Sequence, residues 1–228
     1  MENAGQLLAF LRQVALWSVP VLAAVILHEI AHGAVALRLG DDTAQRMGRL
    51  TLNPLPHIDP IGTVVLPALL LFVGAPVFGY ARPVPVNYAK LRDPRRGMVL
   101  VALAGPATNV ALAALSALAF RWLVAFVAGL EGAPEGVATR IAGSILVPLA
   151  LMARHGAVIN VVLAVFNLLP IPPLDGGRVL TGLLPIAQAR VIAAVEPFGL
   201  LILVLLLTTH TLGVILEAPV RLLLQVLL

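Results

Sequence analysis

The chain has 228 residues, 60% of them hydrophobic and only 11% charged, and its mean hydropathy of +1.01 excludes a soluble globular domain and predicts a polytopic membrane protein. A formal net charge of +4 does not signal a nucleic-acid partner, because the basic residues at 82–96 form one short loop of the kind that faces the cytoplasm and anionic lipid headgroups. Cysteine is absent, so any transition-metal site must use nitrogen and oxygen ligands.

In chain order, apolar stretches long enough to cross a bilayer fall at about 15–39, 61–79, 98–123, 141–169, 191–209 and 211–228, which predicts an all-α fold with about six transmembrane helices. The first is too long for a signal-peptide core and lacks a small-residue cleavage site, so it is expected to be retained. The 61–79 stretch either spans or re-enters. No polar stretch is long enough for an added soluble domain, and residues 1–228 are read as a single transmembrane domain. With strict alternation of six spans, Arg12, the 82–96 loop, Arg178 and Arg190 share one side and outnumber Arg38, Arg46, Arg49 and Arg140 on the other, which places both termini inside.

Between the first two spans, "GRLTLNPLPHIDPIG" at 48–62 mixes β-branched residues with proline and glycine, and "RPVPVN" at 82–87 alternates proline with valine. Both are expected to be extended. Such backbone at membrane depth must be sheltered by protein or border a wet cavity, so short extended or re-entrant segments are predicted to line an intramembrane site. They could also offer a strand edge to an unwound peptide.

The first span contains "VILHEIAHGA", residues 25–34. His28 and His32 are four apart and share a helix face, where two imidazoles can hold one metal ion. Glu29, in the H-E-x-x-H arrangement, lies close enough to take a proton from a metal-activated water. An ionisable side chain at the centre of a span costs about 2.5–3.5 kcal/mol, which favours a used site over an idle polar cluster. A catalytic zinc site needs a third protein ligand and one open position. Asp175, in "FNLLPIPPLDGG" at 166–177, follows the fourth span where a proline-broken helix end can turn a carboxylate back into the bundle. Asp59 in "HIDPIG" and Glu196 in "VEPFG" are the alternatives, with turn formation the simpler role for Asp59.

His28-Glu29-Ile30-Ala31-His32, together with Asn167-Leu168-Leu169-Pro170 leading to Leu174-Asp175-Gly176, resembles the site-2 protease family of intramembrane zinc metalloproteases. The resemblance covers nearly the whole chain. "GRLTLNPLPHIDPIGT", "RPVPVN", "AGPATN" and "NLLPIPPLDGGRVL" are similar to compact bacterial and archaeal members without a PDZ or CBS module. It implies one zinc ion per chain held by His28, His32 and Asp175, with Glu29 as catalytic base, in a prokaryotic inner membrane. The implied substrates are transmembrane-helix proteins, cut in regulated intramembrane proteolysis or in clearance of signal-peptide remnants.

Asn109, Asn160 and Asn167 lie in apolar surroundings and could donate to an oxyanion. Asn167 is the first choice for a substrate or oxyanion contact, with an interhelical hydrogen bond as its alternative. Asn109 in "AGPATN" suits helix packing better, and Asn160 is read as structural. His57 is either a transition-state donor or a locally bonded loop histidine, and His155 and His210 are read as interfacial. Two rival classes are a membrane metal transporter, which needs a succession of ligands along a path, and a catalytically silent scaffold, which would not need Glu29. The expected partners are the substrate helix and the bilayer, with oligomeric state unspecified.

Overall fold

Long runs of leucine, alanine and valine favour helix, and in this protein they deliver it almost end to end. The computed structural model describes residues 2–72, 79–129 and 136–228. Helix α1 (Glu2–Arg38) is followed by the short α2 (Thr43–Arg46), then by a π-type turn at Pro60–Val65 that runs into α3 (Leu66–Phe72). Beyond an irregular connector at 79–87 come α4 (Pro94–Gly129), α5 (Val137–Asn167), α6 (Asp175–Leu183), α7 (Ile186–Val195), α8 (Gly199–Thr208) and α9 (Thr211–Leu227). Pro20, Pro106 and Pro148 lie inside α1, α4 and α5, a pattern that bundled membrane helices tolerate because neighbours re-satisfy the freed backbone groups.

Among the described residues, four helical segments are long and apolar enough to cross a membrane: Gly5–Arg38, Pro94–Gly129, Ala142–Asn167 and Ile186–Thr208, the last joining α7 and α8. Of the six expected spans, the described residues therefore show four. Helix α9 has 17 residues and carries Glu217 and Arg221. Helix α4 is the hub of the bundle, packed on α1, α5 and α6. Ala24, Ala36, Ala102, Ala113, Ala117, Ala157 and Ala164 are all buried, and small side chains let helix backbones approach closely where no hydrophobic force separates protein from lipid.

Of the 61–79 stretch, residues 73–78 lie outside the described residues. On either side of them the Tyr80 N–H donates to Gly62 O (3.0 Å) and Thr63 Oγ1 donates to Tyr80 O (3.0 Å), so residues 62–63 and 80 lie side by side. Asp59 caps the outgoing turn, its Oδ1 accepting from the N–H groups of Ile61 (3.0 Å) and Gly62 (2.7 Å). Farther on, Asn87 N–H donates to Asp41 Oδ2 (2.6 Å), Arg92 N–H to Leu39 O (3.0 Å), and Lys90 Nζ pairs with Asp42 (3.2 Å). The end of α1 and the start of α4 thus lie together. Strict alternation would set Arg49 opposite the 82–96 loop, whereas its guanidinium donates to Arg82 O (2.7 Å).

The 48–62 segment is extended only in part. Pro54 and Pro60 open helical turns at Leu55–His57 and Pro60–Val65, as proline's fixed φ favours at a helix start. The 79–87 connector is non-helical, and no β-ladder forms among the described residues.

Candidate metal centre

His28 and His32 stand one turn apart on the face of α1 that meets α4, and each is 7% exposed. Their Nδ1 atoms are spoken for. The Nδ1–H of His32 donates to Val101 O (2.7 Å) and that of His28 to Asn109 Oδ1 (2.5 Å). A carbonyl cannot donate, and the Asn109 Nδ2 group is already directed at Asn160 Oδ1 (2.7 Å) and Ala24 O (3.3 Å). With Nδ1 of each ring engaged, both Nε2 atoms turn to the interior, the orientation that outer partners impose on metal-binding histidines.

Asp175, the first residue of α6 and 5% exposed, closes the group. Its Oδ2 lies 3.1 Å from His28 Nε2 and 3.3 Å from His32 Nε2, and the two nitrogens are 3.0 Å apart. That oxygen is buried. Two imidazole nitrogens and a carboxylate oxygen this close together form a donor set that suits a divalent cation. Ligands bound at about 2.0–2.1 Å to a tetrahedral ion stand roughly 3.3 Å apart, so the triangle has the size a zinc ion asks for. Among the described residues this is the one group of three histidine or acidic side chains whose ligand atoms converge so closely. Asp59, which caps a turn, and Glu196, at the start of the turn after α7, are not in it.

Local backbone makes the convergence possible. Gly105 of α4 faces the two imidazoles so closely that a Cβ there would lie 2.6 Å from His28 Nε2 and closer still to His32 Nε2. Gly176 backs onto the carbonyls of Leu168 and Leu169, and that contact seats the first turn of α6, with Asp175, on the loop leaving α5. Glu29, half-buried, reaches the connector, where its Oε2 accepts the Val84 N–H (2.6 Å). A cavity of about 390 Å³ opens beside the group, its wall including His28, Glu29, His32, Val84, Asn167 and Asp175.

The remaining candidates separate. Asn167 is half-buried on the cavity wall and donates one amide hydrogen to Leu163 O (3.0 Å). Asn109 is fully buried behind His28, and Asn160 lies behind it in turn, donating to Gly156 O (2.8 Å). His57 is 3% exposed, with Nε2 against Thr51 O (3.0 Å), and is not part of the cavity wall. His155 stacks on Trp17 with ring centroids 4.1 Å apart, joining α5 to α1. The roles of Gly105, the Val101 carbonyl and the Val84 N–H went unread in the sequence. Only Gly105 left a trace there, as the glycine before a mid-helix proline.

The profile of Peptidase family M50 matches residues 17–208. The chain is 37% identical over 199 residues to the Bacillus subtilis protein named "Putative zinc metalloprotease YwhC", covering 84% of this chain and 79% of that one. It is 33% identical over 205 residues to "Putative zinc metalloprotease Rip2" of Mycolicibacterium smegmatis, covering 90% and 69%. The Rip2 protein of Mycobacterium tuberculosis H37Rv is 32% identical over 207 residues, with the same coverages of 90% and 69%. No solved structure matches the chain.

Proposed function

Because the chain belongs to peptidase family M50, we propose that it hydrolyses peptide bonds in or near the transmembrane segments of other membrane proteins. The observation that carries this reading is the meeting of ligand atoms from His28, His32 and Asp175 beside a cavity that Glu29 also lines. A zinc ion held there supplies Lewis acidity and brings the pKa of water down to about 7.

The protein's own groups do the rest. Glu29 takes the proton of the attacking water and passes it to the leaving amine. Its Oε2 is held by the Val84 N–H, which leaves Oε1 for the proton. Asn167 keeps a second amide hydrogen beyond the one given to Leu163 O, and that hydrogen serves the substrate carbonyl or its oxyanion. Asn109 fixes the His28 ring and is not an oxyanion donor, and His57 holds its loop. The connector receives the unwound substrate as an added strand. Arg82, Val84 and Asn87 already spend their N–H groups internally and prolines 83 and 85 have none, so Val86 is the donor left for that contact.

The membrane reading is a multi-pass protein of a bacterial inner membrane, with Arg38, Arg49 and the 82–96 loop on one side. That side is cytoplasmic by its excess of positive charge. Zinc content of the detergent-purified protein, with cleavage of a synthetic transmembrane peptide bearing a central Asn-Pro break, tests the function. Near one zinc per chain is expected in the parent and in Glu29→Gln and little in His28→Ala and Asp175→Ala, with cleavage about 10²–10⁴-fold slower in Glu29→Gln than in the parent. Full zinc in Asp175→Ala, or parental cleavage by Glu29→Gln, would sink it.

A further inference from the structure

We propose that Arg49 is a positioning residue for Glu29, acting through the single Pro83–Val84 peptide plane. Arg49 is only 6% exposed, and its Nη2 donates to Arg82 O (2.7 Å) and to Pro83 O (3.2 Å). The Pro83 carbonyl and the Val84 N–H belong to one peptide unit, and that N–H donates to Glu29 Oε2 at 2.6 Å. In a planar trans peptide the C=O and N–H point in opposite directions. The guanidinium and the carboxylate therefore grip the two edges of the same plate.

Three features make this plate a good spacer. Pro83 and Pro85 flank Val84 in sequence, and their fixed φ angles and missing N–H groups leave it little freedom and no adjacent donor to replace it. Val84 itself is buried at 7% exposure, so water does not compete for its amide. A cationic donor on the carbonyl polarises the unit and strengthens the N–H bond to a carboxylate beyond. The connector has a separate anchor at its far end, where Asn87 N–H meets Asp41, so removing the Arg49 contact releases the plate without freeing the segment.

This proposal depends on Glu29 being the base, and its test carries a readout that does not. Amide exchange at Val84 and Asn87 is followed in the zinc-loaded, detergent-solubilised parent and in Arg49→Gln, Arg49→Lys and Glu29→Gln, beside zinc content and the kinetics of the synthetic transmembrane peptide. In Arg49→Gln, zinc content stays parental and Val84 exchange quickens by about 10-fold or more while Asn87 is unchanged. The kcat falls by about 10- to 100-fold with KM unchanged, and Arg49→Lys recovers part of both. Unchanged Val84 exchange overturns the proposal, as does an unchanged kcat with Val84 released. So does loss of zinc or equal acceleration at Asn87, either of which marks a merely structural role. If Glu29→Gln cleaves as the parent does, the assignment of the base fails instead, and exchange at Val84 still decides whether Arg49 holds the plate.

Discussion

Gly105 of α4 lies in contact with the imidazole of His32 of α1, so close that no β-carbon fits between helix and ring. A helical glycine elsewhere would cost stability relative to alanine. Here it clears the space that the two rings occupy. Gly105→Ala is expected to push His28 and His32 out of register with Asp175 and to lower zinc per chain well below the parent, with helical content retained. Metal analysis beside far-ultraviolet circular dichroism checks this, and parental zinc in Gly105→Ala would contradict the packing described.

Asn109 sets the His28 ring through Nδ1 and is itself held by Asn160. Outer partners of this kind are worth roughly 10–100-fold in metal affinity. Asn109→Ala should release zinc to a competing chelator at a correspondingly lower concentration, whereas Asn109→Asp, which keeps an acceptor for His28, should lose less. Equal affinities in all three would show that His28 needs no such support.

Asp41, fully enclosed between α1 and the connector, ties acid stability to the fold. Burial pushes its carboxyl up, but the Thr43 hydroxyl (2.5 Å), the N–H groups of Asn87 (2.6 Å) and Thr43 (3.1 Å), and nearby Lys90 together hold it below its ordinary value. A carboxyl lowered on folding stabilises the folded state above its unfolded pKa of about 3.9, and that contribution is lost as pH falls through the folded value. The thermal midpoint of the parent should therefore drop steeply below about pH 4. Asp41→Asn should be less stable at neutral pH and show a flatter acid limb. Identical pH profiles would rule out this contribution.

Removing the metal should loosen the join between α1 and α6, since no ion would then bridge Asp175 to the two imidazoles. Chelation is expected to lower the thermal midpoint of the parent, and re-addition of zinc to restore it, as for any ligand that binds only the folded state. In Asp175→Ala the chelator should change little. Scanning calorimetry or fluorescence melts in one detergent make the comparison.

The chemistry was far more legible in the sequence than the path of the chain. His28, Glu29 and His32 sit at helical spacing in an apolar run, so periodicity alone sets both rings on one face. Asp175 was found through its proline-rich approach and two following glycines, one of which seats it against Leu168 and Leu169. By contrast, hydropathy measures how long a segment is apolar and says nothing of its direction. The meeting of Gly62 and Thr63 with Tyr80 depends on individual hydrogen bonds, which a hydropathy average does not register. Arg49 misled for a related reason: in sequence it is one more loop charge, and only its burial against two carbonyls reveals a different use.

The two histidines come from the first helix and the aspartate from the sixth, with most of the chain between them. During synthesis the histidines enter the membrane long before their third partner has been translated, and two imidazoles alone make a poor zinc site. A site that needs all three groups is complete only once α6 has been made and packed on α4.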